Sequence, residues 1–135
     1  MTTIRTSSEE ATSEAGRSFA AELRVGDVVL IDGPLGAGKT AFVRGIAEGL
    51  GADPAEVSSP TFTILQQYQG RPMLYHADLY RLTQAEAADL GLEETGLDGV
   101  LAVEWPDRWV AQPRAAIQVG IEDLGGAERK ITIRR

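Results

Sequence analysis

Apolar residues recur along this chain in two rhythms, one near four residues and one of two, with turn residues between them. Thr6-Ser-Ser-Glu9 has the form of a capping box, in which a hydroxyl and a glutamate three residues on satisfy each other's backbone N–H groups, and it predicts a helix start. Ala11, Ala15, Phe19 and Leu23 follow at intervals of four and form one apolar stripe to lay on a sheet. Gly26-Asp27 turns the chain into Val28-Val-Leu-Ile31, a short apolar run of the kind that makes a buried parallel strand. After a glycine-rich interval, Phe42, Val43, Ile46 and Leu50 return to helical spacing, and Gly51 supplies a C-terminal stop.

Gly51-Ala-Asp-Pro54 then breaks the chain, and a polar, proline-punctuated stretch from Val57 to Thr63 runs into Ile64-Leu-Gln-Gln-Tyr68. Gly70-Arg-Pro72 is a turn signal ahead of Met73-Leu-Tyr-His-Ala77, so an antiparallel hairpin is predicted here. A second capping box, Thr83-Gln-Ala-Glu86, opens a short helix that Gly91 can end. Val100-Leu-Ala-Val103 predicts another buried strand. Ile117, Val119 and Ile121 alternate with other residues, as do Ile131 and Ile133, and Gly125-Gly126 lies between, so the chain closes in a hairpin. No internal repeat or linker interrupts this order. The predicted class is α/β, one compact domain over residues 1–135 with a mixed central sheet flanked by helices.

The glycine-rich interval changes the picture from fold to chemistry. Gly33-Pro-Leu-Gly-Ala-Gly38-Lys39-Thr40 is a full match to G-x-x-x-x-G-K-[ST], set between strand and helix as that pattern requires. Glycines at 33, 36 and 38 allow backbone angles that side chains forbid, so successive N–H groups can turn inward on an anion. Lys39 reaches the outer phosphates, and the Thr40 hydroxyl is a hard oxygen ligand for magnesium. The following helix aims its positive end at the same phosphates. The domain is therefore P-loop NTPase-like, with Gly33, Leu35, Gly36, Ala37, Gly38, Lys39, Thr40 and Ala41 as the expected nucleotide cradle.

Composition narrows the classes. The chain has no cysteine, which excludes disulfides and thiolate zinc sites. No apolar run approaches bilayer length and the N-terminus lacks a signal-peptide core, so a cytoplasmic protein is expected, with no membrane partner. Thirteen Lys and Arg against 20 Asp and Glu give a net charge of −7. Arg129-Lys130 and Arg134-Arg135 are the only concentrated basic run, which disfavours a direct, tight grip on nucleic acid.

Phosphoryl chemistry needs a carboxylate at the metal and a group to position the nucleophile. Glu104 closes the apolar run Val100–Val103, and strand ends line the ligand crevice of open α/β sheets. Asp78 closes an apolar strand in the same way, as a metal-water ligand or a water-orienting base. Either acid could touch the metal. Ser59-Pro-Thr61-Phe62 occupies the place where nucleotide switches supply a hydroxyl to magnesium or the terminal phosphate. His76, the single histidine, reads as a structural residue, and Trp105 as either a packing residue or an exposed contact.

G-P-L-G-A-G-K-T followed by F-V-R-G-I-A, then V-S-S-P-T-F-T, Y-H-A-D-L-Y-R-L and V-E-W-P, in this order and at this spacing, resembles the TsaE (YjeE) family nearly from end to end. S-P-T-F and D-L-Y-R-L are far more discriminating than the phosphate loop, which many families share. The resemblance implies a small ATPase subunit of the bacterial tRNA threonylcarbamoyladenosine machinery, binding ATP or ADP with magnesium and hydrolysing ATP weakly. It implies action with a TsaB–TsaD heterodimer, and contact with tRNA only through those partners. By motif, Lys39 and Thr40 hold phosphates and magnesium, Glu104 is the acidic metal-site residue and Asp78 the second essential acid. It further implies Thr61 in a switch-like segment, Trp105 beside the nucleotide, and Ser8 and Arg129 near the base. Ala41 departs from the Ser or Thr common at its position, which removes a hydroxyl but no required ligand.

The principal alternative is a free-standing small-molecule kinase, which needs an acceptor pocket and a basic lid. At 135 residues there is little room for a lid, and no arginine-rich insertion appears. A GTPase of the Asn-Lys-x-Asp kind is excluded, because the chain contains no asparagine. An inert module holding nucleotide as a fold stabiliser would not need both acids.

Overall fold

Parallel pairing at the centre of one sheet and antiparallel pairing at both edges organise the molecule, seen in a computed structural model that describes residues 1–53, 55 and 64–135. Among these residues the strands are β1 (Thr2–Thr6), β2 (Val28–Asp32), β3 (Leu65–Tyr68), β4 (Met73–Asp78), β5 (Gly99–Glu104), β6 (Ile117–Gly125) and β7 (Glu128–Arg134). The helices are α1 (Glu9–Ala20), α2 (Lys39–Gly49) and α3 (Gln84–Ala88), with a 3-10 turn at Pro106–Arg108. The sheet order is β1-β7-β6-β2-β5-β4-β3. β2 lies parallel to both β5 and β6, and β4 parallel to β5, whereas β3–β4, β6–β7 and β1–β7 are antiparallel. The mixed sheet flanked by helices is the architecture the hydrophobic pattern predicts.

Both faces of the sheet are covered, which explains the uninterrupted apolar runs of β2 and β5. On one face α1 and α2 pack Ala15, Phe19, Phe42, Val43 and Ile46 against Val29, Ile31, Val100, Ala102, Val119 and Ile131. On the other, Leu79, Ala87, Leu92 and Trp109 close over Leu30, Ala77, Leu101 and Val103. The two large helices meet backbone to backbone: a Cβ on Gly16 would collide with the Phe42 carbonyl, and one on Gly45 with the Ser13 carbonyl. Any side chain at those positions would push α2, and the loop feeding it, off the sheet.

The helix ends follow local chemistry. α2 stops where Gly51, at φ +85°, lets its own N–H reach the Glu48 carbonyl (3.0 Å) and the Ala52 N–H reach Ala47 (2.9 Å), which is a Schellman closure. α3 carries both halves of its capping box, Glu86 N–H to Thr83 Oγ1 at 3.1 Å and Thr83 N–H to Glu86 Oε1 at 3.0 Å.

Three local expectations need correction. The N-terminal segment, without an element in the sequence pattern, is strand β1, paired Ile4 to Ile131. Its single apolar residue gives no periodic signal, and it forms because β7 offers an open edge. In consequence α1 is capped by Ser8, which accepts from Ala11 N–H at 3.0 Å, and not by Thr6. Thr6 ends β1 and pairs its hydroxyl with Thr12 at 2.8 Å. α1 also ends at Ala20, so Leu23 lies beyond the helix, although still buried. The stretch containing Thr61 lies outside the described residues.

Candidate functional site

The loop between β2 and α2 faces a cleft of about 1090 Å³ at the C-terminal ends of β2, β4 and β5. Gly36 and Gly38 adopt φ of +79° and +100°, in the left-handed region that side chains resist. Gly38 is also the N-cap of α2 and brings no side chain to that end, so the first N–H groups of the helix remain available to a ligand. Gly33 donates its N–H to Asp32 Oδ1 at 3.0 Å, and a Cβ there would stand 2.5 Å from the Ile121 carbonyl.

An anion cradle needs its carbonyls engaged elsewhere than on the ligand, and Arg129 on β7 occupies two of the loop carbonyls. Its Nε donates to Ala37 O at 3.0 Å and a terminal nitrogen to Gly36 O at 3.4 Å. The other terminal nitrogen donates to Gly126 O and Glu128 O, both at 2.8 Å, and to Asp123 Oδ1 at 3.0 Å. The planar fork thus ties the β6–β7 hairpin to the loop.

Lys39 is 5% exposed, and its Nζ donates to Gly33 O at 2.6 Å and Pro34 O at 2.8 Å. Burial pushes its ammonium below the ordinary lysine value, while Glu104, Asp78 and Asp32 pull it back up. The same Nζ lies 4.2 Å from the Trp105 ring centroid, within cation–π range. Trp105 holds φ 59°, ψ 54°, the only non-glycine with positive φ among the described residues. Its ring packs on Tyr80 at 4.9 Å between centroids, and Arg108 stands 5.3 Å from it.

The two acids come together through strand register. Asp78 pairs with Glu104 across β4 and β5, and Glu104 with Ile31 of β2. Glu104 is not a surface residue. It is 3% exposed, accepts from Thr40 Oγ1 at 3.4 Å and stands 2.6 Å from His76 Nε2. Burial raises the Asp78 carboxyl; the Tyr80 N–H at 3.0 Å lowers it, Glu104 raises it further, and His76 and Lys39 oppose that.

A hydroxyl and a carboxylate side by side are hard oxygen donors of the kind magnesium takes. Among the described residues no group of three or more His, Cys, Asp or Glu could hold an ion unaided.

Of the residues singled out from sequence, Ser8, Leu35, Gly36, Ala37, Gly38, Lys39, Thr40 and Ala41 lie on the cleft wall, as do Asp78, Glu104, Trp105 and Arg129. Gly33 sits behind the wall as an acceptor for Lys39. Ser8 spends its hydroxyl on the cap of α1, and the Arg129 guanidinium on the loop.

The model for threonylcarbamoyl adenosine biosynthesis protein TsaE matches residues 6–131. The chain belongs to the TsaE family. It is 44% identical over 131 residues to the tRNA threonylcarbamoyladenosine biosynthesis protein TsaE of Bacillus subtilis, an alignment that covers 95% of this chain and 82% of that protein. Against the protein of the same name from Treponema pallidum it is 40% identical over 129 residues, covering 93% and 95%. A crystal structure of Bacillus subtilis YdiB superposes with a TM-score of 0.80 at 38% identity, covering 98% of this chain and 83% of that one.

Within this TsaE family frame, sequence reasoning missed three contributors: His76 as the partner of Glu104, Tyr80 as the support of Trp105, and Arg129 as the brace of the loop. Tyr80 was within reach, since it lies in the same D-L-Y-R stretch as Asp78. Among the described residues, no helix is long and apolar enough to cross a membrane.

Proposed function

We propose that this chain binds ATP and ADP with magnesium in the cleft, hydrolyses ATP slowly, and serves a TsaB–TsaD heterodimer in forming threonylcarbamoyladenosine on tRNA. One observation carries the nucleotide part: a glycine loop whose Gly36 and Ala37 carbonyls are occupied by Arg129, and an uncapped helix start, on one cleft with Lys39, Thr40 and Glu104. The relatives named for this biosynthesis, similar over nearly the whole chain, support the pathway.

In this reading the amides of the loop and of the first turn of α2 bind the outer phosphates, and Lys39 turns from the Gly33 and Pro34 carbonyls to the nucleotide. Thr40 and Glu104 would hold the magnesium, whose charge would be available to the transferred phosphoryl group. Asp78, half-buried beside Glu104, orients the attacking water. The strongly acidic balance of the chain supports contact with tRNA through partners only.

ATP turnover by the purified protein, with and without the TsaB–TsaD pair, is the test. Slow turnover that the pair alters supports the proposal. Turnover indifferent to the pair would leave the nucleotide site standing and remove the partnership. Phosphate appearing on a small acceptor would instead favour a kinase.

A further inference from the structure

The single histidine of the chain stands at the centre of the candidate site, and the phosphate-binding reading gives it no task. His76 is 1% exposed on β4, sharing a sheet face with Asp78. Register places His76 beside Ala102 and Asp78 beside Glu104, so ring and carboxylate meet diagonally across two parallel strands. Nε2 lies 2.6 Å from Glu104 Oε2. Nδ1 is buried with no hydrogen-bond partner among the described residues.

Those two facts select between the tautomers of the neutral ring. A proton on Nδ1 would be a buried donor without an acceptor, and would set the Nε2 lone pair against a carboxylate oxygen. A proton on Nε2 gives Glu104 a donor and leaves only a lone pair unmatched. The same Oε2 accepts from Thr40 Oγ1 on α2, so ring and hydroxyl hold one oxygen from opposite elements.

We propose that His76 is a positioning residue, whose Nε2–H fixes the Glu104 carboxylate so that it faces the magnesium position beside Thr40. A histidine that merely filled the core would be replaceable by leucine with no effect on the metal. A glutamate freed of its donor would keep its charge but lose its aim, and outer-shell partners of this kind change metal affinity by about 10- to 100-fold. The inference rests on the magnesium–nucleotide reading above.

Because the 135-residue chain has one histidine, its ring ¹⁵N spectra report on His76 alone. The expected spectrum has Nε2 protonated and Nδ1 bare. ADP without magnesium should leave both signals nearly in place, and magnesium added to the ADP-bound protein should move Nε2. A ring protonated on Nδ1 with Nε2 bare would overturn the proposal, as would ring signals that ignore magnesium while magnesium tightens ADP binding.

Calorimetry provides a second arm. His76→Leu should bind ADP without magnesium within about twofold of the parent, yet lose about tenfold of the gain that magnesium confers. His76→Gln, which keeps an N–H on that side, should recover most of it. Equal loss in both variants, or a loss already present without magnesium, counts against a positioning role. Should His76→Leu not fold, the spectra of the unaltered protein decide. Magnesium that fails to tighten ADP binding to the unaltered protein would sink the metal reading itself, and this inference with it.

Discussion

Two turns leave the parallel centre of the sheet side by side, one after β2 and one after β5, and they reach left-handed backbone by opposite means. After β2 the positive φ angles belong to Gly36 and Gly38, which adopt them freely. After β5 the positive φ belongs to Trp105, where a bulky side chain in that region costs roughly 1–2 kcal/mol. In the proposed site the glycine turn offers its backbone to the phosphates and needs no side chain. The tryptophan turn offers a side chain, an indole face 4.2 Å from Lys39 Nζ and braced by Tyr80. Glycine would relieve the backbone there but would remove the ring that lies on Lys39 Nζ.

Lys39 belongs to both turns, since its Nζ bonds the carbonyls of the first and lies on the ring of the second. Removing it should have the largest effect. Lys39→Ala is expected to weaken ADP binding by about 100-fold or more in calorimetry, as a buried charge-assisted contact to phosphate would be lost. Unchanged affinity would contradict the nucleotide site altogether.

The glycine turn alone can be loosened through its brace. Arg129→Ala frees the Gly36 and Ala37 carbonyls, and ADP affinity should fall about tenfold, one or two hydrogen bonds to a charged group at the usual worth. Arg129→Lys should fall in between, because an ammonium cannot serve the spread of acceptors that the guanidinium fork does. Equal affinity in all three proteins would mean that the glycines hold the cradle unaided.

Trp105 separates strain from function within the other turn. Trp105→Gly and Trp105→Ala both lose the ring, so both should weaken ADP binding by a few-fold, the worth of one cation–π contact. They should differ in stability. The glycine variant should be about 1 kcal/mol more stable than the alanine variant in urea denaturation, because only alanine keeps the left-handed penalty. Equal stabilities would show that the turn relaxes and that Trp105 carries no strain.

The two turns were also unequally legible from sequence. Glycine spacing, the run before it and the four-residue stripe after it disclose the first turn, because backbone freedom is written into residue type. Glu104 and Asp78 are legible as acids that close apolar strands. Their partners are not. His76 reaches Glu104 only through the β4–β5 register, and Arg129 reaches the loop from 92 residues away. Neither relation has a local signature. β1 escapes for a similar reason: one isoleucine among threonines and an arginine becomes a strand only beside the free edge of β7. Its formation then moves the α1 cap from Thr6 to Ser8, a two-residue error that follows from the missing strand.

The smallest expected effect concerns the acid that lies between the turns. Burial, with Glu104 nearby, raises Asp78 above the ordinary carboxyl value of 3.8. The folded state therefore holds its proton to higher pH than the unfolded chain does, so this group lowers stability as pH rises from about 3.8 through the raised value, and the deficit persists at pH 7. Asp78→Asn removes the charge while keeping an acceptor for the Tyr80 N–H. Its midpoint of thermal unfolding should exceed the parent's by on the order of 1–2 °C at pH 7, and the difference should vanish below the ordinary carboxyl value. ATP turnover should fall in the same variant, since an amide cannot orient water as a base. A variant less stable than the parent at pH 7 would mean that Lys39 and His76 more than offset the burial of Asp78. A more stable, inactive variant would place Asp78 with Trp105, as a residue held against its own local preference for the sake of the cleft.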